Sequence, residues 1–452
     1  MLCAGAATLE MAWVSLASAR QRAGRAGRVQ PGECFKLYTR EREETFQPHT
    51  TPEILRVPLE QTVLDCKTYA PDEKAEDFLS QLPEPPSKAA IQFAVDDLID
   101  LGALSGGQRL TRLGALLGGV TLPPRLGAAL LRAAAAGCLA PVAAAAAARA
   151  APLEVFRAAA DRREEIREIK RKRSETSDFA ALNAIQHEFE ERLRERGGAA
   201  AAAAYCERLG LSHERLKLVR AITSLHLEQV LKTPVVQPAP SAEELNRFSA
   251  IDELVSAVLL SGTDSLLVSR KKVDTRGKLK TKMHLFTSKG DRAHIGGSSV
   301  NHLAWARAAR PALLAHCGGL RSAERRALVV HECARVSPLA ALLFCAGAAR
   351  RETQHNDTGD VTVVNMTKHK LKIHIPTSHE ELLQKAREML WRSFDYYIER
   401  DVMNLDYEEN VKVTKFKNKL IKTICRILVE ADREYVQQKS AILEPTNDMD
   451  LA

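Results

Sequence analysis

The order of helix and turn signals in residues 51–113 restricts the fold that this segment can adopt. Thr51-Pro52-Glu53 offers a capping hydroxyl, a proline for the first helical turn and an early acid, which predicts a helix start. A second helix is predicted from Ser87 to Leu101, where apolar residues recur at helical spacing. The turn Ser105-Gly106-Gly107-Gln108 is typical of a hairpin tip. Two helices followed by a small hairpin predict a winged helix.

The composition is that of a soluble protein with several domains. Its 452 residues are expected to hold more than one domain, and the net charge of +8 favours a polyanionic partner. Nine cysteines without a CxxC pair argue against a disulfide framework or a structural metal site, and they favour a reducing compartment, cytoplasmic or nuclear. The longest apolar run, 133–148, is mostly alanine and too short for a bilayer, so no membrane partner is expected.

The segment Gln21 to Arg28 places a glutamine and three arginines among glycines and alanines. If the segment is helical, Gln21, Arg25 and Arg28 share one face, and Arg22 lies off it. Several guanidinium groups close together suit phosphate oxygens, because each is permanently charged and presents a planar fork of donors. The spacing alone leaves two alternatives: a site that holds a polyphosphate, or a basic helix that lies on a nucleic-acid backbone or in solvent.

A resemblance separates these alternatives. Residues 18–29 resemble the sixth motif of superfamily-2 helicases, and residues 31–39 resemble the strand that follows it in DExH-box (DEAH and RNA-helicase-A-like) RNA helicases. Residues 11–15 resemble the strand that precedes the motif. The resemblance implies ATP and Mg²⁺ as cofactors, held mainly by another lobe. It also implies that Gln21 positions the γ-phosphate and the attacking water, that Arg25 and Arg28 are arginine fingers, and that Arg22 supports ATP binding.

The resemblance continues along the chain and implies a multidomain protein, mainly α with α/β and β parts. Residues 52–60 resemble a segment of the family's winged-helix domain, residues 110–114 and 124–127 resemble the start of its helical ratchet domain, and residues 294–301 resemble an element of its OB-fold. The expected units are the end of a second RecA-like lobe (1–45), a winged helix (46–113), a helical ratchet (114–235), an OB-fold (236–375) and a C-terminal helical extension (376–452). The last unit is interpreted as interdomain packing.

Two features refine this assignment. The second winged-helix helix, Ile91 to Asp100, carries three aspartates and no Lys or Arg, so DNA is an unlikely partner and packing is the expected role. In the ratchet, Ser177 or Asp178 is expected to cap a helix. The alanine run 199–204 is consistent with either a loosely packed helix or a flexible insertion.

Residues 268–292 are the strongest candidate for contact with single-stranded or structured RNA. They hold nine Lys and Arg against two Asp, and Lys280 and Lys282 alternate with less polar residues. A strand with one basic face would follow a phosphate backbone; a solvated edge strand explains the pattern equally well. By resemblance, Ser299 and Asn301 would contact the RNA backbone, although hydrogen bonds within a turn are an equal alternative.

Two motifs of an ATPase are missing from the sequence. No G-x-x-x-x-G-K-[ST] segment occurs, and no Asp-Glu-x-His segment occurs. We therefore predict the C-terminal portion of an ATP-dependent RNA helicase that neither hydrolyses ATP nor unwinds RNA by itself. The alternative is a non-enzymatic RNA-binding or scaffold protein that keeps only the accessory domains.

Overall fold

The computed structural model describes residues 7–9, 12–150, 154–158, 160–236, 241–273, 279–303, 312–322, 326–347, 349–356, 359–400 and 406–437. Over these ranges the chain is a mixed α/β protein. Helices make up most of its first 263 residues, and apart from one strand at Ala7–Leu9 the strands of two sheets follow before the final pair of helices.

The α-helices are numbered in chain order. They are α1 Leu16–Ala23, α2 Arg40–Glu44, α3 Glu60–Tyr69, α4 Ala75–Leu79, α5 Lys88–Leu101, α6 Arg112–Gly118, α7 Pro124–Ala136, α8 Leu139–Ala150, α9 Arg163–Arg171, α10 Asp178–Arg194, α11 Gly198–Leu209, α12 His213–Leu231, α13 Ala242–Leu245, α14 Asp252–Thr263, α15 Pro338–Phe344, α16 Thr377–Glu399 and α17 Tyr407–Gln437. Within the described ranges, none of these helices is long and apolar enough to cross a membrane.

The strands form two sheets. They are β1 Ala7–Leu9, β2 Leu266–Val273, β3 Leu279–Thr287, β4 Arg292–Ile295, β5 Leu313–His316, β6 Leu320–Ser322, β7 Ala327–Val330, β8 Cys333–Val336, β9 Ala349–Asn356, β10 Gly359–Met366 and β11 Leu371–Pro376. The larger sheet has the order β1-β6-β7-β4-β3-β2-β5-β8 and is antiparallel except at β1–β6 and β4–β7. The smaller sheet, β11-β10-β9, is antiparallel throughout.

Residues 51–113 form the predicted elements with one difference. The helix start at Thr51 produces only a single 3₁₀ turn, Glu53–Leu55, and α3 begins at Glu60. Pro58 explains the break, because proline has no N–H to donate and its ring clashes with the preceding turn. Helix α5 begins after Ser87, whose hydroxyl accepts a hydrogen bond from the Ala90 N–H, as predicted. Leu104 and Leu110 form the bridge of a short hairpin.

Helices α7 and α14 cross at very short range. A Cβ placed on Gly262 would lie 2.4 Å from the Ala129 nitrogen and 2.6 Å from the Arg125 carbonyl oxygen. Arg132 donates to the Ser261 carbonyl, and its guanidinium lies 4.7 Å from the centre of the Trp391 ring. The contacts of Arg132 therefore join α7, α14 and α16 in one core.

The alanine-rich segments are helical. Residues 199–204 belong to α11, where Ala202 and Tyr205 are buried, so the helix is the correct alternative for this run. The Tyr205 hydroxyl donates to the Glu188 carboxylate at 2.9 Å, which ties α11 to α10. Ser177 caps α10 by accepting from the Ala180 N–H, as predicted.

The final two helices are present as predicted, and α16 packs against the end of α15. Arg387 donates to the carbonyls of Leu342, Cys345 and Gly347, and the Trp391 indole donates to the Leu343 carbonyl at 3.0 Å. These bonds satisfy carbonyls that a helix leaves unpaired at its C-terminus.

Candidate functional site

The arginine motif lies partly on α1 and partly after it. Ser15 begins the helix by accepting from the Ser18 N–H, and its hydroxyl lies 3.0 Å from that of Thr50. The helix ends at Ala23, so only Gln21 and Arg22 are helical. The shared helical face is therefore wrong for Arg25 and Arg28, which lie in turns. Gly27 has φ of 90°, in the left-handed region, which explains why the helix does not continue through it.

All four polar side chains of the motif are exposed. Gln21, Arg22, Arg25 and Arg28 face solvent, and no ion pair among the described residues involves any of the three arginines. Three guanidinium groups without a carboxylate partner are free to receive an anion. The local geometry is a helix end and not a continuous face.

The strands expected on either side of the motif are absent. Residues 12–15 and 31–38 have no strand structure, and Phe35 and Leu37 are 82% and 96% exposed. A strand needs a neighbouring strand to satisfy its N–H and C=O groups, and none of the described residues pairs with these segments. A local cluster holds the region instead: Trp13 stacks on Phe46 at 5.6 Å, and Tyr38 meets Phe46 edge-on at 5.0 Å.

Asp178 forms a buried polar centre between α10 and the larger sheet. Its fully buried carboxylate accepts from the Ser299 hydroxyl, from the Val300 N–H at 3.0 Å and from the Cys333 N–H at 3.1 Å. The buried Lys170 ammonium lies 3.3 Å away. Burial would lower the pKa of Lys170, but the nearby acids, Asp178 first among them, together outweigh it and raise that pKa. Asp178 is therefore the first residue of α10 and also holds the loop after β4 through its hydrogen bonds.

Ser299 and Asn301 belong to this buried centre. Both side chains are buried, and the Asn301 amide donates to the Thr176 carbonyl at 3.0 Å and to the Cys333 carbonyl at 3.1 Å. These amide bonds reach distant segments, whereas within the turn the Asn301 N–H donates to the Ser299 hydroxyl oxygen at 3.1 Å, as the turn-structuring alternative expects. No local sequence pattern predicts the hydrogen bond between Ser299 and Asp178, because these residues are 121 positions apart.

Lys280 and Lys282 lie on β3, in the strand that the alternation predicted. Their side chains lie outside the described residues. The strand pairs with β2 along most of its length and with β4 only at Leu285 and Phe286, so it is neither a free edge nor fully enclosed.

The comparison with known proteins gives the family. The chain is 31% identical over 348 residues to the ATP-dependent RNA helicase DHX30 of Rattus norvegicus, a match that covers 75% of this chain and 28% of that protein. It is 30% identical over 350 residues to the human ATP-dependent DNA/RNA helicase DHX36, which covers 75% of this chain and 33% of that protein. This chain belongs to the DExH-box RNA helicases.

A shorter match of higher identity supports the assignment. Over 131 residues the chain is 47% identical to the chloroplastic DExH-box ATP-dependent RNA helicase DExH4 of Arabidopsis thaliana, which covers 29% of this chain and 9% of that protein. The chain thus spans about a third or less of the length of these helicases. No family profile matches it.

Two of the three aspartates of α5, Asp97 and Asp100, have basic partners inside this DExH-box chain. Arg125 donates to Asp97 and to Asp100, each at 2.7 Å, and Lys368 lies 2.6 Å from Asp100 and also pairs with Asp264. Burial alone would raise the pKa of Asp100 and of Asp264, but their basic partners outweigh it and lower both. Arg125 and Lys368 therefore link Asp97 and Asp100 of α5 to α7, to α14 and to the turn after β10.

One group of side chains resembles a set of metal ligands. Asp264, Cys345 and His369 are buried, and a ligand atom of each lies within 4.8 Å of the others. The Lys368 ammonium already lies against the Asp264 carboxylate, and the His369 Nε2 lies 3.0 Å from it. Since Lys368 supplies the positive charge that a metal would, we assign these residues to the ion-pair network.

The network yields a pH-dependent prediction. Asp100→Asn should lower the free energy of unfolding by about 1 kcal/mol near neutral pH, because the pair is partly exposed and therefore screened. A carboxylate with a lowered folded pKa stabilises above its unfolded pKa, roughly 3.9, and that stabilisation is lost as pH falls through the folded value. Urea unfolding from pH 7 downward should show the difference shrinking in acid. Asp96→Asn, on the same helix and hydrogen-bonded only to Gln92 among the described residues, is the control.

Proposed function

We propose that this chain is the RNA-binding and coupling portion of a DExH-box ATP-dependent RNA helicase. The observation that carries the proposal is the exposed motif-VI segment, whose Arg25 and Arg28 have no acidic partner among the described residues. Such guanidinium groups suit charge that develops on a transferred phosphoryl group. Gln21, one turn earlier on α1, would position the γ-phosphate and the attacking water, and Arg22 would support nucleotide binding.

The domain assignments are part of the proposal. The helix–helix–hairpin order supports a winged helix at 46–113, and α6 to α12 support a helical ratchet at 114–235. The strands β2 to β8, closed by α15, support an OB-fold at 236–375. Residues 1–45 would end a second RecA-like lobe, and residues 376–452 would form a helical extension. We expect weak sequence preference and strong salt dependence in RNA binding, because backbone contacts dominate such binding.

The chain does not supply a site for Mg²⁺ or for the bulk of ATP. Its sequence has neither the glycine-rich phosphate loop nor the acidic box that hold these groups in such enzymes. The residues present could therefore contact only one side of a bound ATP molecule. No catalytic step follows from this chain alone.

One experiment tests the proposal. The purified chain should bind a single-stranded RNA with an affinity that falls steeply with salt, and it should show no RNA-stimulated ATP turnover. Turnover by this chain alone, in a coupled ATPase assay, would contradict the missing nucleotide site. Failure to bind RNA at 50 mM salt would contradict the function as a whole.

The missing phosphate loop favours the alternative of a non-enzymatic RNA-binding or scaffold protein. A fusion of this chain to a first RecA-like lobe distinguishes the helicase hypothesis from the scaffold hypothesis. The helicase predicts RNA-stimulated turnover that falls on the order of 10³-fold in Arg28→Ala, since that is the usual value of an arginine finger. The scaffold hypothesis predicts no ATP turnover in the fusion protein or in its Arg28→Ala variant. Arg40→Ala, an exposed arginine at the start of α2 and outside residues 18–29, serves as the matched control.

A further inference from the structure

Helix α17 has one apolar face, and this face is occupied inside the protein. Leu420, Ile421, Ile424 and Leu428 are buried, and the helix packs on α14, α15 and α16. Lys417 also points inward: its ammonium lies 4.7 Å from the centre of the Tyr397 ring, and burial lowers its pKa to about 8. The opposite face of the helix is therefore the one that remains in solvent.

That outer face carries a continuous basic row. The row consists of Lys412, Lys415, Lys419, Lys422 and Arg426, all of them exposed. Their spacing of three, four, three and four residues keeps them within an arc of about 80°, at about 100° per residue. The row is about 21 Å long, since each helical residue rises about 1.5 Å. We call it the basic row of α17.

The basic row is not neutralised by the rest of the described chain. No ion pair among the described residues involves any of its five members, and no acid occurs between Lys412 and Arg426. Other exposed lysines do have partners: Lys385 lies 2.5 Å from Glu381, and Lys232 lies 2.7 Å from Glu228. Glu408 and Glu430 lie only near the two ends of the row. Like charges so close together repel one another, so a bound polyanion would relieve the repulsion within the row.

An aromatic side chain lies beside the basic row. Phe416 is 52% exposed and sits four residues after Lys412 and three before Lys419. Aromatic rings next to basic side chains suit single-stranded nucleic acid, because a base stacks on the ring while the phosphates meet the cations. A membrane surface fits poorly, because a helix that lies in a membrane buries its apolar face in lipid and α17 uses that face for packing.

We propose that the basic row of α17, together with Phe416, is a second binding surface for the backbone of single-stranded RNA. The inference rests on the proposed function for the class of ligand, but it uses residues that lie outside the arginine motif and outside β2 to β4. It assigns a binding role to a segment whose sequence indicated only packing.

The test uses the whole chain and a single-stranded uridine oligonucleotide. In fluorescence anisotropy between 50 and 200 mM KCl, K415Q/K419Q/K422Q should bind on the order of tenfold more weakly at low salt. The slope of log affinity against log salt should fall by about 2, since each lost single-strand contact contributes about 0.7. F416A should weaken binding about tenfold and leave the slope unchanged, because stacking involves no counterion release.

The matched control is R192Q/R194Q/R196Q, which removes three positive charges from another exposed segment at the end of α10. An unchanged slope in the α17 variant, or an equal change in the control, would overturn the inference while leaving RNA binding by the chain intact. Loss of binding in the unmodified chain would overturn the proposed function as well. Polyglutamate is a competitor that mimics an acidic protein. If it displaced the RNA from the unmodified chain but not from the α17 variant, the row would be a binding site for an acidic protein, and the inference would be overturned. Equal thermal unfolding of all variants confirms that they are folded.

Discussion

Asp178→Ala should lower the free energy of unfolding by about 3–5 kcal/mol. The substitution removes a buried carboxylate that accepts bonds from Ser299, Val300 and Cys333. It also leaves the buried ammonium of Lys170 without its partner, and an unpaired charge in the interior is strongly unfavourable. Chemical denaturation followed by circular dichroism measures the effect.

A double-mutant cycle separates the ion pair from the hydrogen bonds. Lys170→Met combined with Asp178→Ala should destabilise less than the sum of the two single changes, since the pair is removed together. Asp161→Ala, an exposed acid, should change stability by no more than about 0.5 kcal/mol. Additive single effects would show that Lys170 and Asp178 do not interact.

Gly262→Ala should destabilise the protein by about 2 kcal/mol, although alanine is normally the better helix former by about 1 kcal/mol. The sign reverses because the new methyl group would meet the backbone of α7 at 2.4 Å, and backbone cannot rotate aside as a side chain can. Thermal unfolding of the single variant measures the effect.

Gly118→Ala provides the matched comparison. This glycine is also helical, at the end of α6, but its nearest neighbour would be the Thr68 hydroxyl at 3.8 Å, an ordinary contact. The change there should be neutral or stabilising. If Gly262→Ala also stabilised, α7 and α14 would have to be more widely spaced than described.

Local signals predicted local structure well. Ser87 and Ser177 identified the starts of α5 and α10, because a capping hydroxyl bonds to an N–H only three residues away. The break at Pro58 has an equally local cause, because the proline ring and its missing N–H act on the preceding turn. Such features depend on neighbours in sequence, which the sequence displays directly.

Features that depend on distant partners were not predictable in the same way. The expected strands around the arginine motif are absent, because a strand is stabilised by a neighbouring strand and not by its own residues. Asp178 was identified as a helix start, but its bonds to Ser299 and Cys333 bridge 121 and 155 residues. The basic row of α17 was not predicted, because its spacing has meaning only once the buried face of that helix is known.

The alanines of α7 and α8 have a thermodynamic consequence. Ala128 and Ala129, with 133–136 and 143–147, are buried between neighbouring helices. An alanine has no side-chain rotamers to lose, whereas a buried leucine gives up roughly 0.5–1 kcal/mol of rotamer entropy. The middle of this chain therefore orders at a low entropic cost per residue. Gly262 brings α14 against the backbone of α7, which leaves few alternative packings, so the two helices should move as one rigid body whenever the surrounding domains shift.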